Sequence, residues 1–214
     1  IKVTIPEGYE LSQISKRLAE AGVVGEEEFS DALLKDYDYR FLKDIPEREN
    51  RLEGYLFPDT YNFKKDDTGE NVIKIMLDNF DKHFKDEYYS RAEEINMSVD
   101  EIVTMASIIE RETNSPNERK KVAGVFYNRL KKNMRLQSCA TVQYALGERK
   151  PVLSIADTRI DSPYNTYTNY GLPAGPIASP GDSCIEAALY PEDTDALYFV
   201  LDSSGNHVFS QTYE

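Results

Sequence analysis

Residues 98–113, "SVDEIVTMASIIERET", encode a helix with a strongly apolar side, and a carboxylate falls on that side. Ser98 is followed three positions later by Glu101, the spacing of a capping box. The Ser98 hydroxyl accepts from the Glu101 backbone N–H, and the Glu101 side chain reaches back. From that start each residue turns the wheel by roughly 100°. Val99, Ile102, Val103, Ala106 and Ile109 gather in one stripe, and Glu110 projects between Val99 and Val103. Asp100, Thr104, Ser107 and Arg111 share the opposite face, and Glu112 lies on the polar side or at its border. A carboxylate facing a core is either a structural acid paired with Arg or Lys, or an acid whose pKa desolvation raises so that it can donate a proton. The helix alone leaves both readings open.

Composition narrows the function classes. The chain has 214 residues, 40% hydrophobic and 29% charged, enough for one sizeable core or a core plus a small module. Thirty-eight acids against 25 bases give a formal net charge of −13, which argues against a nucleic-acid partner. No apolar run is long enough to span a bilayer. The chain opens directly in "IKVTIP", without Met or signal sequence, as expected of a segment cut from a longer protein. Cys139 and Cys184 are the only cysteines, and His83 and His207 the only histidines, so neither a Cys/His zinc site nor a Ser-His-Asp triad has material to build on. His207, in "SSGNHVFS", reads as a surface residue on the return strand of a hairpin.

The element pattern is α+β. "IKVTI" alternates like a strand, and "PEG" turns it. Leu11, Ile14, Leu18 and Ala21 mark a short amphipathic helix stopped at Gly22; "EEEFSDALLKD" gives a second, with Phe29, Ala32 and Leu33 inward. With a return strand in "DTYNF", residues 1–63 form a βααβ unit, and residues 64–214 form a second, helix-rich unit. Within it, residues 66–94 predict one long helix or two, with Ile73, Met76, Phe80 and Phe84 as core. Ser115, Pro116 and Glu118 predict a capping box with Pro at the first helical position. The following helix points Val122, Val125, Phe126 and Leu130 inward and carries Arg129, Lys131 and Lys132 at its end. "SCATVQYALG" is a short helix ended by Gly147, "SCIE" at 183–186 predicts another capping box, and "ALYFVLD" and "NHVFSQ" flank a hairpin turn.

Residues 161–183, "DSPYNTYTNYGLPAGPIASPGDS", are neither helix nor strand. Tyr164, Tyr167, Tyr170, Gly171 and Gly175 suit a groove, and Pro163, Pro173, Pro176 and Pro180 stiffen it. A loop this long in a compact domain is usually functional or disordered, and the prolines and aromatics argue against disorder. Tyrosines interleaved with Asn165, Thr166 and Asn169 suit a carbohydrate, whose faces pack on rings and whose hydroxyls bond to amides. A proline-stiffened structural loop is the alternative.

"LEGYLFPDTY" (52–61), "ASIIERET" (106–113), "VFYNRL" (125–130), "LQSCATVQYALG" (136–147), "YNTYTNYGLPAGPIASPG" (164–181) and "ALYFVLDSSGNHVFS" (196–210) together resemble the YceG-like family, the endolytic murein transglycosylases called MltG. The motifs follow the family's order across nearly the whole chain. The resemblance implies a LysM-like N-terminal subdomain, matching the βααβ unit, ahead of a catalytic domain with a C-terminal β-hairpin. It implies a single-pass, membrane-anchored bacterial enzyme working on the outer side of the membrane. That enzyme cuts peptidoglycan glycan strands internally, terminates nascent-strand elongation and has cell-wall synthases as partners. It implies no cofactor and no metal.

The family's catalytic glutamate falls on Glu110. Its proton would go to the glycosidic oxygen between N-acetylmuramic acid and N-acetylglucosamine, and the carboxylate would then take the proton of the muramic 6-hydroxyl as that oxygen attacks C1. The product is a 1,6-anhydro end, and one carboxylate suffices. Glu53, Gln137, Tyr144, Tyr164, Asn165 and Tyr167 are the expected substrate-binding residues. Two other classes stay open: a water-using muramidase, which needs a second acid from among Glu53, Asp59 and Glu112, and a non-catalytic peptidoglycan-binding module. Glu53 either lines the groove or pairs with a buried Arg.

Overall fold

The computed structural model describes residues 1–213. β1 (Lys2–Thr4) pairs antiparallel with β2 (Thr60–Asn62), with Val3 opposite Tyr61. In each three-residue strand only the middle side chain is buried, as period-two alternation requires. Between them run α1 (Leu11–Glu20), α2 (Glu26–Leu33) and a single 3₁₀ turn at Arg40–Leu42. Leu11, Ile14 and Leu18 of α1 and Phe29 and Ala32 of α2 are buried, so the expected βααβ order is present.

The charged stretch after it divides into α3 (Gly69–His83) and α4 (Asp86–Glu94). Thr68 caps α3 by accepting from the Asn71 N–H at 3.3 Å. Ile73, Met76, Phe80 and Phe84 are buried as expected, and the Phe80 and Phe84 rings stack 5.6 Å apart. α6 (Arg119–Lys131), α7 (Cys139–Leu146) and α8 (Asp182–Leu189) follow the central α5 (Val99–Glu112), and β3 (Tyr198–Leu201) and β4 (His207–Ser210) close the chain as an antiparallel hairpin. The fold is α+β, with eight helices and two small antiparallel sheets among the described residues.

α5 corrects the amphipathic expectation. Its capping box is made: the Glu101 N–H donates to Ser98 Oγ at 3.1 Å, and the Ser98 N–H to Glu101 Oε2 at 2.8 Å. Its second face is nevertheless buried too, because α4, α6, α7 and α8 all pack against it. The polar residues of that face are internal partners. Asp100 accepts from Arg48 Nη1 and Nη2 at 2.6 and 2.7 Å and from the Tyr55 hydroxyl at 2.6 Å. Ser107 donates to the Thr104 carbonyl and accepts the Ile177 N–H at 3.0 Å. These bonds replace the water that the Asp100 carboxylate and the Ser107 hydroxyl lose on burial.

Three local signals are overridden by distant partners. α6 begins at Arg119 and not at Pro116, because the Glu118 carboxylate accepts from the Thr113 hydroxyl and from the backbone and ring of His207. α8 begins at Asp182 behind Gly181; Ser183 bonds to Arg119 and Glu186 pairs with Lys120, so "SCIE" makes no capping box. His207 lies on β4 as expected, but its side chain is covered, with Nδ1 2.7 Å from Glu118, and is not a surface residue. Arg129 is likewise more than a helix-end cation. It is buried and donates to the carbonyls of Leu197, Arg135 and Leu136, tying β3 and the segment before α7 to α6.

Candidate active site

Glu110 ends up in the last turn of α5, 8% exposed, with both carboxylate oxygens engaged. Oε1 lies 3.4 Å from Arg119 Nη2, and Oε2 accepts the Gly181 N–H at 3.0 Å. Arg119 comes from the first residue of α6, and Gly181 is the residue before α8. Three helix ends thus converge on one acid. Burial meets the demand of a proton donor and Arg119 meets the demand of a structural pair, and both features coincide at Glu110. Arg119 Nη1 bonds to the Ser183 hydroxyl, while Arg119 Nε has no partner among the described residues. Cys184 sits beside this cluster, where burial and the Glu110 carboxylate raise its thiol pKa; it is not bonded to Cys139.

A second acid reaches the same guanidinium. Glu7 Oε2 is 3.6 Å from Arg119 Nη2. Burial first and then the Glu110 carboxylate raise the Glu7 pKa. Glu7 was not legible as a site residue, because a lone acid in a "PEG" turn carries no local signature. What delivers it is the pairing of that turn with the loop before α8: the Gly8 N–H donates to the Ser179 carbonyl and the Ser179 N–H to the Tyr9 carbonyl, both at 2.8 Å.

Glu53, Tyr144 and Tyr164 are brought together elsewhere. They line a cleft of about 600 Å³ between α1, α2 and the segment around α7, which also includes Glu10 and Asn50. Arg111 links the two places, since its Nη1 is 3.2 Å from Glu10 Oε1 and it directly follows Glu110. Glu53 is 1% exposed, and among the described residues no Arg pairs with it. Its carboxyl accepts the Leu11 N–H at the start of α1 and the Tyr144 hydroxyl at 3.2 Å, and Tyr144 in turn accepts from Asn50 at 3.0 Å. The Tyr144 and Tyr164 rings lie 4.8 Å apart.

Desolvation pushes the Glu53 pKa up to about 8, only partly offset by its hydrogen bonds. The native state therefore holds a proton on Glu53 that the unfolded chain has lost above its ordinary pKa of 4.5. Stability contributed by this site is full below that value, falls as pH rises through the window up to about 8, and is flat above it. Thermal unfolding of Glu53→Gln across pH 4–9 should show this slope removed, with the variant gaining on the wild type towards pH 9. A slope unchanged by the substitution would assign the pH dependence to other groups.

The remaining expected residues sit on the long loop and its neighbour. Gln137 is exposed, with φ +52°, and its N–H donates to the Thr166 carbonyl at 3.1 Å. Tyr167 is half-buried, its hydroxyl 3.1 Å from Cys139 Sγ. Asn165 faces inward: its amide donates to the carbonyls of Thr158 and Ile160 and accepts the Tyr167 N–H at 2.9 Å. Thr166 bonds to Ser138, whose hydroxyl donates to Glu112. Glu112 is half-buried at the border of the polar face, as expected, and desolvation raises its pKa. Asp59 lies apart, exposed and bonded to Asn79.

Residues 1–214 match the YceG-like family. The chain is 41% identical to an endolytic murein transglycosylase of Bacillus subtilis (strain 168), over 99% of its own length and 62% of the relative's. It is 40% identical to an endolytic murein transglycosylase of Streptococcus pneumoniae serotype 2, over 97% of its length and 41% of the relative's. The chain therefore spans about two-fifths to three-fifths of the length of these relatives. A crystal structure of a yceG-like protein from Listeria monocytogenes superposes with a TM-score of 0.86 at 41% identity, covering the whole of this chain and 73% of the other.

Proposed function

The chain belongs to the YceG-like family, and from that membership we propose that it is an endolytic lytic transglycosylase of peptidoglycan. The observation that carries this reading is Glu110, a buried acid with its two oxygens fixed by Arg119 and Gly181. Glu110 donates its proton to the oxygen leaving C1 of N-acetylmuramic acid. Charge develops on C1, and the muramic 6-hydroxyl attacks it while returning a proton to Glu110. One C–O bond breaks, one forms, and no water is consumed. The tethered hydroxyl has the advantage of proximity over a free water molecule.

In this reading residues 1–63 are a LysM-like subdomain and residues 64–214 the catalytic domain. The strand runs past the Glu110 cluster along the cleft, with Glu53, Tyr144 and Tyr164 on one stretch and Gln137 and Tyr167 on another. Asn165 serves binding by holding the loop that presents Tyr164 and Tyr167. An upstream membrane anchor and contact with cell-wall synthases complete the proposal; among the described residues no helix is long and apolar enough to cross a membrane.

Digestion of long, purified glycan strands tests it. Fragments of intermediate length appearing first are the expected result, since cuts inside strands produce them. Release of only disaccharides from the ends would overturn the endolytic assignment, and no turnover would favour a binding module. One observation supports a water-using muramidase as the second reading: Glu7, not Glu53, is the acid that shares a partner with Glu110.

A further inference from the structure

Glu7 occupies a position that its exposure alone does not account for. It belongs to the turn between β1 and α1, yet the two backbone hydrogen bonds between that turn and Ser179 lay it against the loop that binds Glu110. A Cβ on Gly181 would come within 1.9 Å of Glu7 Oε1, so the Glu7 carboxyl rests on the same glycine whose N–H donates to Glu110. Arg119 Nη2 lies 3.4 Å from Glu110 and 3.6 Å from Glu7, one donor between two acids.

We propose that Glu7 is a positioning residue for Glu110: it shares Arg119 with the acid and so limits how firmly the guanidinium holds it. The proposal rests on Glu110 acting as proton donor. A guanidinium given wholly to one carboxylate favours its charged form, whereas a donor must carry its proton. A second carboxylate on the same nitrogen divides that attraction and adds like-charge repulsion. The titratable and charged groups facing the pair are Glu7 and Glu10 from the β1–α1 turn, Arg111 from α5, Arg119 from α6, and Asp182 and Cys184 from α8. Of these, Glu7 is the carboxylate that contacts the Glu110 partner, and its side chain keeps 48% of its exposure. The N-terminal unit would then complete the site chemically as well as bind substrate.

The test compares the wild type with Glu7→Gln and Gly181→Ala. Gly181 has φ −83°, which alanine adopts freely, and its new methyl would displace only the end of the flexible Glu7 side chain. Both variants should move the alkaline limb of the pH–rate profile to lower pH by on the order of one unit, with about a tenfold loss on that limb. Glu7→Asp should restore much of it. The carboxyl of Glu110, followed by carbon-13 NMR in labelled protein, should titrate lower in Glu7→Gln whether or not turnover is measured, which separates this proposal from the assigned reaction. A profile and a titration both superimposing on the wild type would overturn it. So would oxygen from labelled water entering wild-type products but not those of Glu7→Gln, since Glu7 would then be a base for water.

Discussion

Glu110→Gln is expected to remove glycan cleavage while the protein unfolds within a few degrees of the wild type. Glutamine keeps the shape and still accepts the Gly181 N–H, but it cannot give up and recover a proton. Loss of general acid–base action lowers rates by roughly a hundredfold to ten-thousandfold. Glu112→Gln is the control. Its carboxyl lies two residues on, half-buried, and accepts from Ser138, whereas Arg119 pairs with Glu110. Turnover of the two variants on the same glycan strands decides between the acids, and equal losses would show that the wrong one has been assigned.

The second large effect concerns stability. Asp100→Ala should destabilise the fold by about 3–5 kcal/mol, the cost of leaving a buried charge without its counter-ion. Arg48 is the charge concerned: its side chain is 5% exposed, and both its terminal nitrogens bond to Asp100. The buried Tyr55 hydroxyl loses the same acceptor. For a chain of this size the thermal midpoint should fall by roughly 10 °C. Asp100→Asn, which keeps an acceptor, should cost less. Asp100 is in the first turn of α5 and Glu110 in its last, so cleavage per folded molecule should be retained. A fall of under about 1 kcal/mol would mean that Arg48 finds another partner or water.

What could be read from the sequence follows from how local each determinant is. The Ser98 capping box needs only residues three apart, and it is made as read. The Glu110 position followed from the same phase. The opposite face of α5 was misjudged because periodicity reports the contrast between faces, not the number of neighbours, and α5 is surrounded. The starts of α6 and α8 were lost for a related reason. Glu118 has a partner 89 residues away in His207, and Ser183 one 64 residues away in Arg119. Tertiary bonds of that range leave no trace in a four-residue window.

The candidate site follows the same rule. Tyr144, Tyr164 and Glu53 come together in one cleft, a meeting that could not be foreseen from the sequence because they lie on three separate segments. Asn165 has the chemistry of a sugar-binding amide, yet it donates to the carbonyls of Thr158 and Ile160, just before the proline-rich loop, and so pins the loop to the preceding segment. Glu7 and Arg119 depend on two chain segments meeting, and only the fold places them beside Glu110.

Cleavage in heavy-oxygen water tests the lytic assignment most directly. The new muramic ends should be 1,6-anhydro, lighter by one water than hydrolytic ends, and should carry no label at C1. Intramolecular attack by the 6-hydroxyl admits no solvent oxygen, whereas either hydrolytic route puts one on C1. Mass spectrometry of the ends reads both quantities in one digest. Unlabelled anhydro ends in nearly all products are the predicted result; labelled reducing ends in most of them would contradict the account and point to a muramidase, with Glu7 the first residue to test as its second acid.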